Sequence, residues 1–375
     1  MKLIALKDVC KINMGQSPNS SSYNDYGDGM PFFQGNADFG ERYPITRVWC
    51  NTPTKIAQAE DILISVRAPI GALNYAKEEC CIGRGLAAIT PDRNKVSQDF
   101  IYWALKGKKA ELNDKGNGST FKAISRKILE ETMIPDINFE QQHKCAENLE
   151  KIYGIIQNRR KELLALDDLI KARFVEMFGD PVSNPKGWDM VELGELTGIG
   201  SSKRIFEKEY VSEGIPFYRT KEIVELSKGN SISTELYITE ERFAEIKEQY
   251  GVPKAGDLLI SAVGTIGIIW IVDGKNDFYF KDGNLIRVDS SDKFDSVYMK
   301  NLLENLIVEY KKQMSSGTAY AALTISGLTK MKVYDVPMEL QNQFADFVRQ
   351  VDKSKLMFQK LHQKLNILQK KAGDI

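Results

Sequence analysis

Two mixed α/β domains in tandem, each followed by a long helix, make up the α+β architecture that this sequence predicts. Three observations predict it. The stretch DILISVRAPIG (61–71) returns as DLLISAVGTIG (257–267), with six of eleven positions identical. Four further segments of the first half are echoed, in the same order, in the second. Each half then ends in a long polar segment whose apolar residues fall three and four apart, the spacing of a helical seam. An internal repeat decides the architecture before any local reading does. The expected layout is a first domain over 1–138, a helix over 139–179, a second domain over 180–338 and a second helix over 339–375, with the halves related by a pseudo-twofold axis.

The elements follow in chain order. LKDV (6–9) resembles LGEL (193–196), and GMPFFQGNADF (29–39) answers to GIPFYRTKEI (214–223). GSTFKAIS (118–125) answers to GTAYAALTIS (317–326), and MIPDINFEQQ (133–142) to DVPMELQNQ (335–343). The spacing between partners drifts along the chain, as loop insertions between fixed elements produce. In the first helix the seam runs through Cys145, Leu149, Ile152, Ile156, Leu163, Leu166, Ile170 and Met177, with Arg159 and Arg173 completing it. In the second it runs through Phe344, Phe347, Val351, Phe358, Leu361, Leu365, Leu368 and Ala372. Pro135 and Pro337 precede the helices and suit the chain's entry into them. FGDPVSNPKGW (178–188) ends the first helix at Gly179 and Pro181. Roughly 40 helical residues span about 60 Å. A helix leading away from the first domain can pair with one leading back only if the two are antiparallel.

Composition narrows the function. A hydrophobic content of 42% and a charged content of 27% are those of a globular protein. No run of apolar residues is long enough to cross a membrane, and MKLIALKDVCKIN lacks the core of a secretory signal. Five cysteines, an odd number, argue against a disulfide framework, so a cytoplasmic location is expected. Net charge is zero, and no segment is a basic tail, so nucleic-acid binding would have to come from a local stripe or from partners. No phosphate-loop or dinucleotide fingerprint occurs, and GIGSS (198–202) and GNGST (116–120) read as turns. The two histidines, His143 and His362, have no Cys or Asp neighbours that would make a metal set. Glu245 and Lys247 in EIK read as a solvated helix face. The chain is expected to catalyse nothing by itself and to bind no metal or cofactor.

Four loops combine small polar residues, aromatics and cations: 15–29, 116–123, 200–210 and 313–320. Arg, Lys, Asn and Gln can pair bidentately with base edges, and Gly- and Ser-rich backbone can approach phosphates. The candidate DNA contacts in the first half are Gln16, Ser17, Asn19, Tyr23, Gln34, Asn36, Arg67, Arg84, Ser119 and Lys122. Those in the second half are Lys203, Arg204, Arg219, Lys221, Ser316, Thr318 and Tyr320. The same composition also describes ordinary surface loops. These positions differ most between the halves, whereas the strands match.

GMPFFQGNADF, DILISVRAPIG, GSTFKAISRKILEETMIPDINFEQQ and LDDLIKARFVEMFGDP, with their second-half echoes, resemble the specificity subunit of type I restriction–modification systems. The resemblance covers essentially the whole chain. It implies two target-recognition domains that read the two halves of a bipartite DNA site, one each, across a spacer set by the helices. It also implies two methyltransferase subunits and restriction subunits as partners, with S-adenosylmethionine, ATP and Mg on those partners. GQSP (15–18) fits the family's turn, whereas the second half has GIGSSKR. Two alternatives stay open: a recognition subunit whose partner fuses restriction and modification, and a two-domain scaffold without sequence specificity.

Overall fold

The computed structural model describes residues 2–117, 122–315 and 322–373, and the side chains among them except those of 313–315 and 358–373. The chain divides into two compact units. Unit 1 comprises residues 1–160 with the chain from Lys360 onward, and unit 2 comprises residues 161–359.

Each unit is built on the repeated stretch, and the six identities have physical reasons. Asp61 accepts from the Gln58 amide at 2.9 Å, and Asp257 accepts from the Lys254 amide at 2.9 Å, closing the same turn into the strand. Strands Ile62–Ser65 and Leu258–Ser261 follow. Both are buried on two faces, which explains their unbroken apolar run. Ile64 and Ile260 enter the larger core of their units, and Leu63 and Leu259 enter a second core across the sheet. Ser65 Oγ accepts from the Ala72 amide, and Ser261 Oγ from the Ile268 amide, each at 2.9 Å. Each hydroxyl also donates to a carbonyl four residues on, that of Pro69 or Thr265. Ile70 and Ile266 are buried in the same cores as Ile64 and Ile260. Gly71 and Gly267 close the turns at φ of +83° and +85°, where a side chain would be strained.

Around these strands the sheet order is also the same. In unit 1 it runs Cys10–Met14, Leu86–Pro91, Ile62–Ser65, Leu73–Tyr75; in unit 2 it runs Ile199–Gly200, Leu285–Val288, Leu258–Ser261, Ile269–Ile271. The Ile124 and Leu323 amides dock on the Val66 and Ala262 carbonyls, 2.9 and 3.0 Å away. Ser125 and Thr324 then cap short helices through their hydroxyls. A two-stranded ladder completes each frame, Leu3–Ala5 with Met133–Pro135 and Met190–Glu192 with Lys332–Tyr334.

That ladder corrects one sequence equivalence. Leu3 pairs with Pro135 and Met190 with Tyr334, so Pro135 corresponds to Tyr334 and not to Pro337. Pro135 ends a strand, whereas Pro337 immediately precedes its helix and accepts from the Leu340 amide. The correct register aligns Gln142 with Gln341. Both are buried and both clamp a helix start: Gln142 accepts from the Ser97 amide at 2.7 Å and donates to the Ile137 carbonyl at 2.8 Å. Gln341 accepts from the Asp295 amide at 3.0 Å and donates to the Val336 carbonyl at 2.8 Å.

The long helices run Phe139–Phe178 and Met338–Gly373. In unit 2 they are antiparallel neighbours: Asp167 pairs with Lys355 at 2.6 Å, and Phe174 packs on Phe344 with ring centroids 5.4 Å apart. The contact is broader than a narrow seam. Ile170, Phe174 and Phe178 join Phe344, Val348 and Val351 in the core of unit 2, with Leu166 and Phe347 packed against it. In unit 1, Ala146 and Leu149 belong to the core, and Tyr153 packs against it. Ile156 is buried, whereas Ile152 and Leu163 are half-buried. Phe358, Leu361, Leu365 and Leu368 lie outside the described side chains. The sequence seam misses Phe174 and Phe178 because it steps through Arg173 and Met177, one residue away from the buried face.

Candidate nucleic-acid interfaces

In unit 1 four of the sequence candidates line one surface cavity of about 390 Å³: Ser17, Tyr23, Gln34 and Arg84, together with Phe32, Asp38 and Val48. Strand Met30–Phe33 runs parallel to Cys80–Ile82 and carries Gln34 to the cavity. The Gly83 amide bonds the Phe33 carbonyl at 2.8 Å, and the Gly85 amide bonds the Gln34 carbonyl at 3.1 Å. The close approach explains both glycines: a Cβ on Gly83 would lie 2.5 Å from Gln34 Oε1, and one on Gly85 would lie 2.4 Å from the Gln34 carbonyl oxygen. Ser17 Oγ sits 3.1 Å from Gln34 Oε1 and 2.9 Å from Nε2, and accepts from the Arg84 amide at 3.2 Å. Tyr23 stacks on Phe32 at 4.7 Å and donates to the Pro18 carbonyl. Burial raises the Tyr23 hydroxyl's pKa, so it stays a donor at neutral pH.

The other unit 1 candidates have different places. Asn19 caps the short helix Ser20–Ser22 with its side chain. Gln16 is exposed, with its amide on the Ile82 carbonyl. Asn36 begins the short helix Asn36–Asp38. Arg67 bridges to Ala123 beside exposed Lys122. Ser119 lies outside the described residues.

In unit 2, strand Ile215–Tyr218 runs parallel to Tyr279–Phe280 and carries Arg219 as the first carries Gln34. Arg219 Nη2 donates to Glu222 Oε1 at 3.0 Å, and Glu222 is only 2% exposed. That hydrogen bond holds the Arg219 pKa above its ordinary value against the opposing effect of burial. Lys221 is exposed on the following helix, Thr220–Ser227. Arg204 is tied to Asp282 at 2.7 Å. The Lys203 amide donates to the Tyr279 hydroxyl at 2.6 Å, and its ammonium lies 5.0 Å from the Tyr250 ring centroid. Ser316, Thr318 and Tyr320 lie outside the described residues.

Sequence reasoning missed the carboxylates behind these side chains. Asp38 and Glu222 each accept from the backbone amide of the residue that leaves the strand, Gln34 or Arg219, at 2.8 Å. A carboxylate five or four residues past a repeated PFF or PFY would have been the signal. It also missed Arg42, which pairs with Glu150 of the first long helix and lies over Tyr102 at 5.0 Å and Tyr153 at 5.6 Å. A second cavity in unit 1, of about 560 Å³, adjoins this brace. Asp99, Glu147 and Glu150 line it together with Arg42 and Lys151, which pair with Glu150 and Glu147. Among the described residues no group of side chains could hold a metal ion, and no helix is long and apolar enough to cross a membrane.

Comparison with known proteins places this arrangement. Over 152 residues, 40% of the chain, it is 47% identical to a protein assigned as the MjaX type I restriction enzyme specificity subunit of Methanocaldococcus jannaschii. Over 263 residues, 63% of the chain, it is 27% identical to the MjaIX specificity subunit of the same organism. The matches span 36% and 60% of those relatives' own lengths. The fold is shared with the S subunit of a type I restriction–modification system from M. genitalium, at a TM-score of 0.58 and 17% identity, over 99% of this chain and 94% of that one. It is also shared with a chain from a structural study of complex assembly and conformational transition in a type I system, at a TM-score of 0.60 and 17% identity, over 100% and 96% of the two chains. A family model for the type I restriction modification DNA specificity domain matches residues 1–165 and again 185–368, one match per repeat. The chain therefore belongs to the type I restriction modification DNA specificity domain family.

Proposed function

We propose that this chain is the DNA-recognition subunit of a type I restriction–modification assembly. Each repeat reads one half of a bipartite target, and the long helices fix the distance between the halves and dock two methyltransferase subunits, with restriction subunits joining them. The observation that carries this reading is a duplicated frame that holds different side chains at its two equivalent strand ends, Gln34 and Arg219. Two copies of one scaffold with different contact residues suit a reader of two different sequences. The chain supplies no chemistry of its own in this reading. S-adenosylmethionine, ATP and Mg belong to the partners.

With zero net charge the chain alone releases few counterions and binds DNA weakly. The test is to co-express it with its methyltransferase partner and map methylated adenines in a random DNA library. A motif in two parts, separated by a fixed unread gap, is expected. A one-part motif, or methylation by the isolated chain with S-adenosylmethionine, refutes the reading.

A further inference from the structure

We infer that Gln34 and Arg219 are the matched base readers of the two repeats, Gln34 for an adenine edge in one half-site and Arg219 for a guanine edge in the other. This rests on the function proposed above and adds the base and the residue to it.

The hydrogen bonds fix the equivalence, independently of sequence alignment. The Phe33 and Tyr218 carbonyls accept from the Gly83 and Lys281 amides at 2.8 and 2.9 Å, so the next residues, Gln34 and Arg219, leave the duplicated strands at the same point. At that point each backbone amide is held by a downstream carboxylate, Asp38 or Glu222, at 2.8 Å. Each side chain is then held a second time. The Gln34 amide lies edge-on to Ser17 Oγ, at 3.1 Å from Oε1 and 2.9 Å from Nε2. Arg219 gives Nη2 and Nε to Glu222, at 3.0 and 3.4 Å.

Glu222 leaves a base-reading edge of Arg219 open, whereas Ser17 Oγ occupies that of Gln34 and must yield it to a base. The hydroxyl donates to Oε1 and accepts from Nε2 there, as the N6 amino group and N7 of adenine would in its place. The Arg219 fork keeps the Nη1 hydrogens and one on Nη2, two parallel donors that match O6 and N7 of guanine. Side chains held this way lose little entropy on contact. The remaining cations lack that double hold. Arg204 is committed to Asp282, and Arg67, Lys122 and Lys221 are exposed, which suits phosphate contacts that position without reading sequence.

The experiment uses the chain assembled with its methyltransferase partner and a library in which each half-site position is randomised in turn. Replacing Arg219→Gln should convert one guanine column to adenine in one half-site, with a preference change of about 10-fold or more, and leave the other half-site untouched. Replacing Gln34→Arg should convert an adenine column to guanine in the opposite half-site. An active variant that keeps the wild-type motif at every column, or whose methylation falls evenly for all sequences, overturns the inference. Should Arg219→Gln fail to assemble, Arg219→Lys keeps a cation on Glu222 and loses only the fork. It should relax the guanine column, and an unchanged column overturns the assignment. A wild-type complex with no two-part motif refutes the function itself, whereas a two-part motif insensitive to both residues refutes only this inference.

Discussion

From Asn19 to Ala57 unit 1 adds strands: Tyr23–Asn24, Met30–Phe33, Trp49–Cys50 and Ile56–Ala57 join Cys80–Ile82 in a five-stranded sheet. The corresponding stretch of unit 2 supplies two strands, Ile215–Tyr218 and Tyr237–Ile238, which join Tyr279–Phe280 in a three-stranded sheet, and adds helices Thr220–Ser227 and Glu240–Gln249. Outside these stretches the two frames repeat even single hydrogen bonds. The charges of the excursions are rearranged as well. The turn after Cys80–Ile82 presents Arg84, whereas the turn after Tyr279–Phe280 presents Asp282 and commits it to Arg204. The braces onto the long helices reverse sign too: Glu150 of the first helix meets Arg42, and Arg349 of the second meets Asp295 at 2.8 Å. The difference teaches that the frame fixes where a side chain leaves the sheet, while the excursions are free to change which chemistry leaves there.

The largest expected effect separates the two ends of the first long helix. Phe174 is 1% exposed in the core of unit 2, so Phe174→Ala should cost about 3–5 kcal/mol there. Leu149→Ala should cost about 2–5 kcal/mol in unit 1. Hydrogen exchange resolved by unit reads both. Equal loss in both units from either substitution would show that the units unfold as one and that the comparison has no energetic content.

A smaller effect distinguishes the paired glycines. Both need a positive φ, but a Cβ at Gly267 would lie 2.6 Å from Ile307 Cγ2, whereas one at Gly71 would lie 3.1 Å from Lys109 Cγ, on a flexible side chain. Gly267→Ala should therefore destabilise by about 1–2 kcal/mol more than Gly71→Ala, the difference being overpacking. Chemical denaturation of the two variants measures it, and equal losses would mean that backbone strain alone sets the cost.

The smallest concerns a group that unit 2 lacks. Lys106 Nζ lies 3.8 Å from the Tyr153 ring centroid, and burial, with Arg42 nearby, lowers its pKa to about 8. The folded state thus releases this proton before the unfolded state does. Its penalty is full below pH 8 and fades as pH rises towards the unfolded value near 10.5. Lys106→Met should stabilise unit 1 most below pH 8, and the gain should shrink between pH 8 and about 10. A gain independent of pH would assign it to packing on the aromatic rings rather than to charge.

The frame was legible because burial on both faces and identical turn bonds leave few residues that fit. Asp61, Ser65 and Gly71 recur as Asp257, Ser261 and Gly267 for that reason. The prolines misled, because a proline draws the eye while backbone pairing sets the register. The buried face was read one residue off only at the end of the first helix, at Arg173 and Met177, because a three-four spacing fits a narrow seam as well as the wider stripe of a helix sunk in a core. Of the candidate site, four residues named from the sequence, Ser17, Tyr23, Gln34 and Arg84, line one cavity, whereas the bracing was not legible. Asp38 and Glu222 do their work through backbone amides, which leave no periodic trace in a sequence.

Gln142 and Gln341 belong to their helices by sequence and to their domains by hydrogen bonding. A cassette cut at residue 138 would carry Ser97 away and leave behind the amide oxygen that its backbone needs. The recipient's glutamine would serve only if the foreign domain placed its own turn within a few tenths of an ångström. A buried donor left unmet costs about 1–3 kcal/mol, a large share of a domain's margin. The cleaner joint lies inside the helix, beyond Glu150, where Gln142, Leu149 and the Arg42 partner travel together. In the second repeat the matching joint lies beyond Arg349, which must travel with Asp295. Exchange of domains between relatives is thus easiest where the chain looks least like a boundary, in the middle of an unbroken helix.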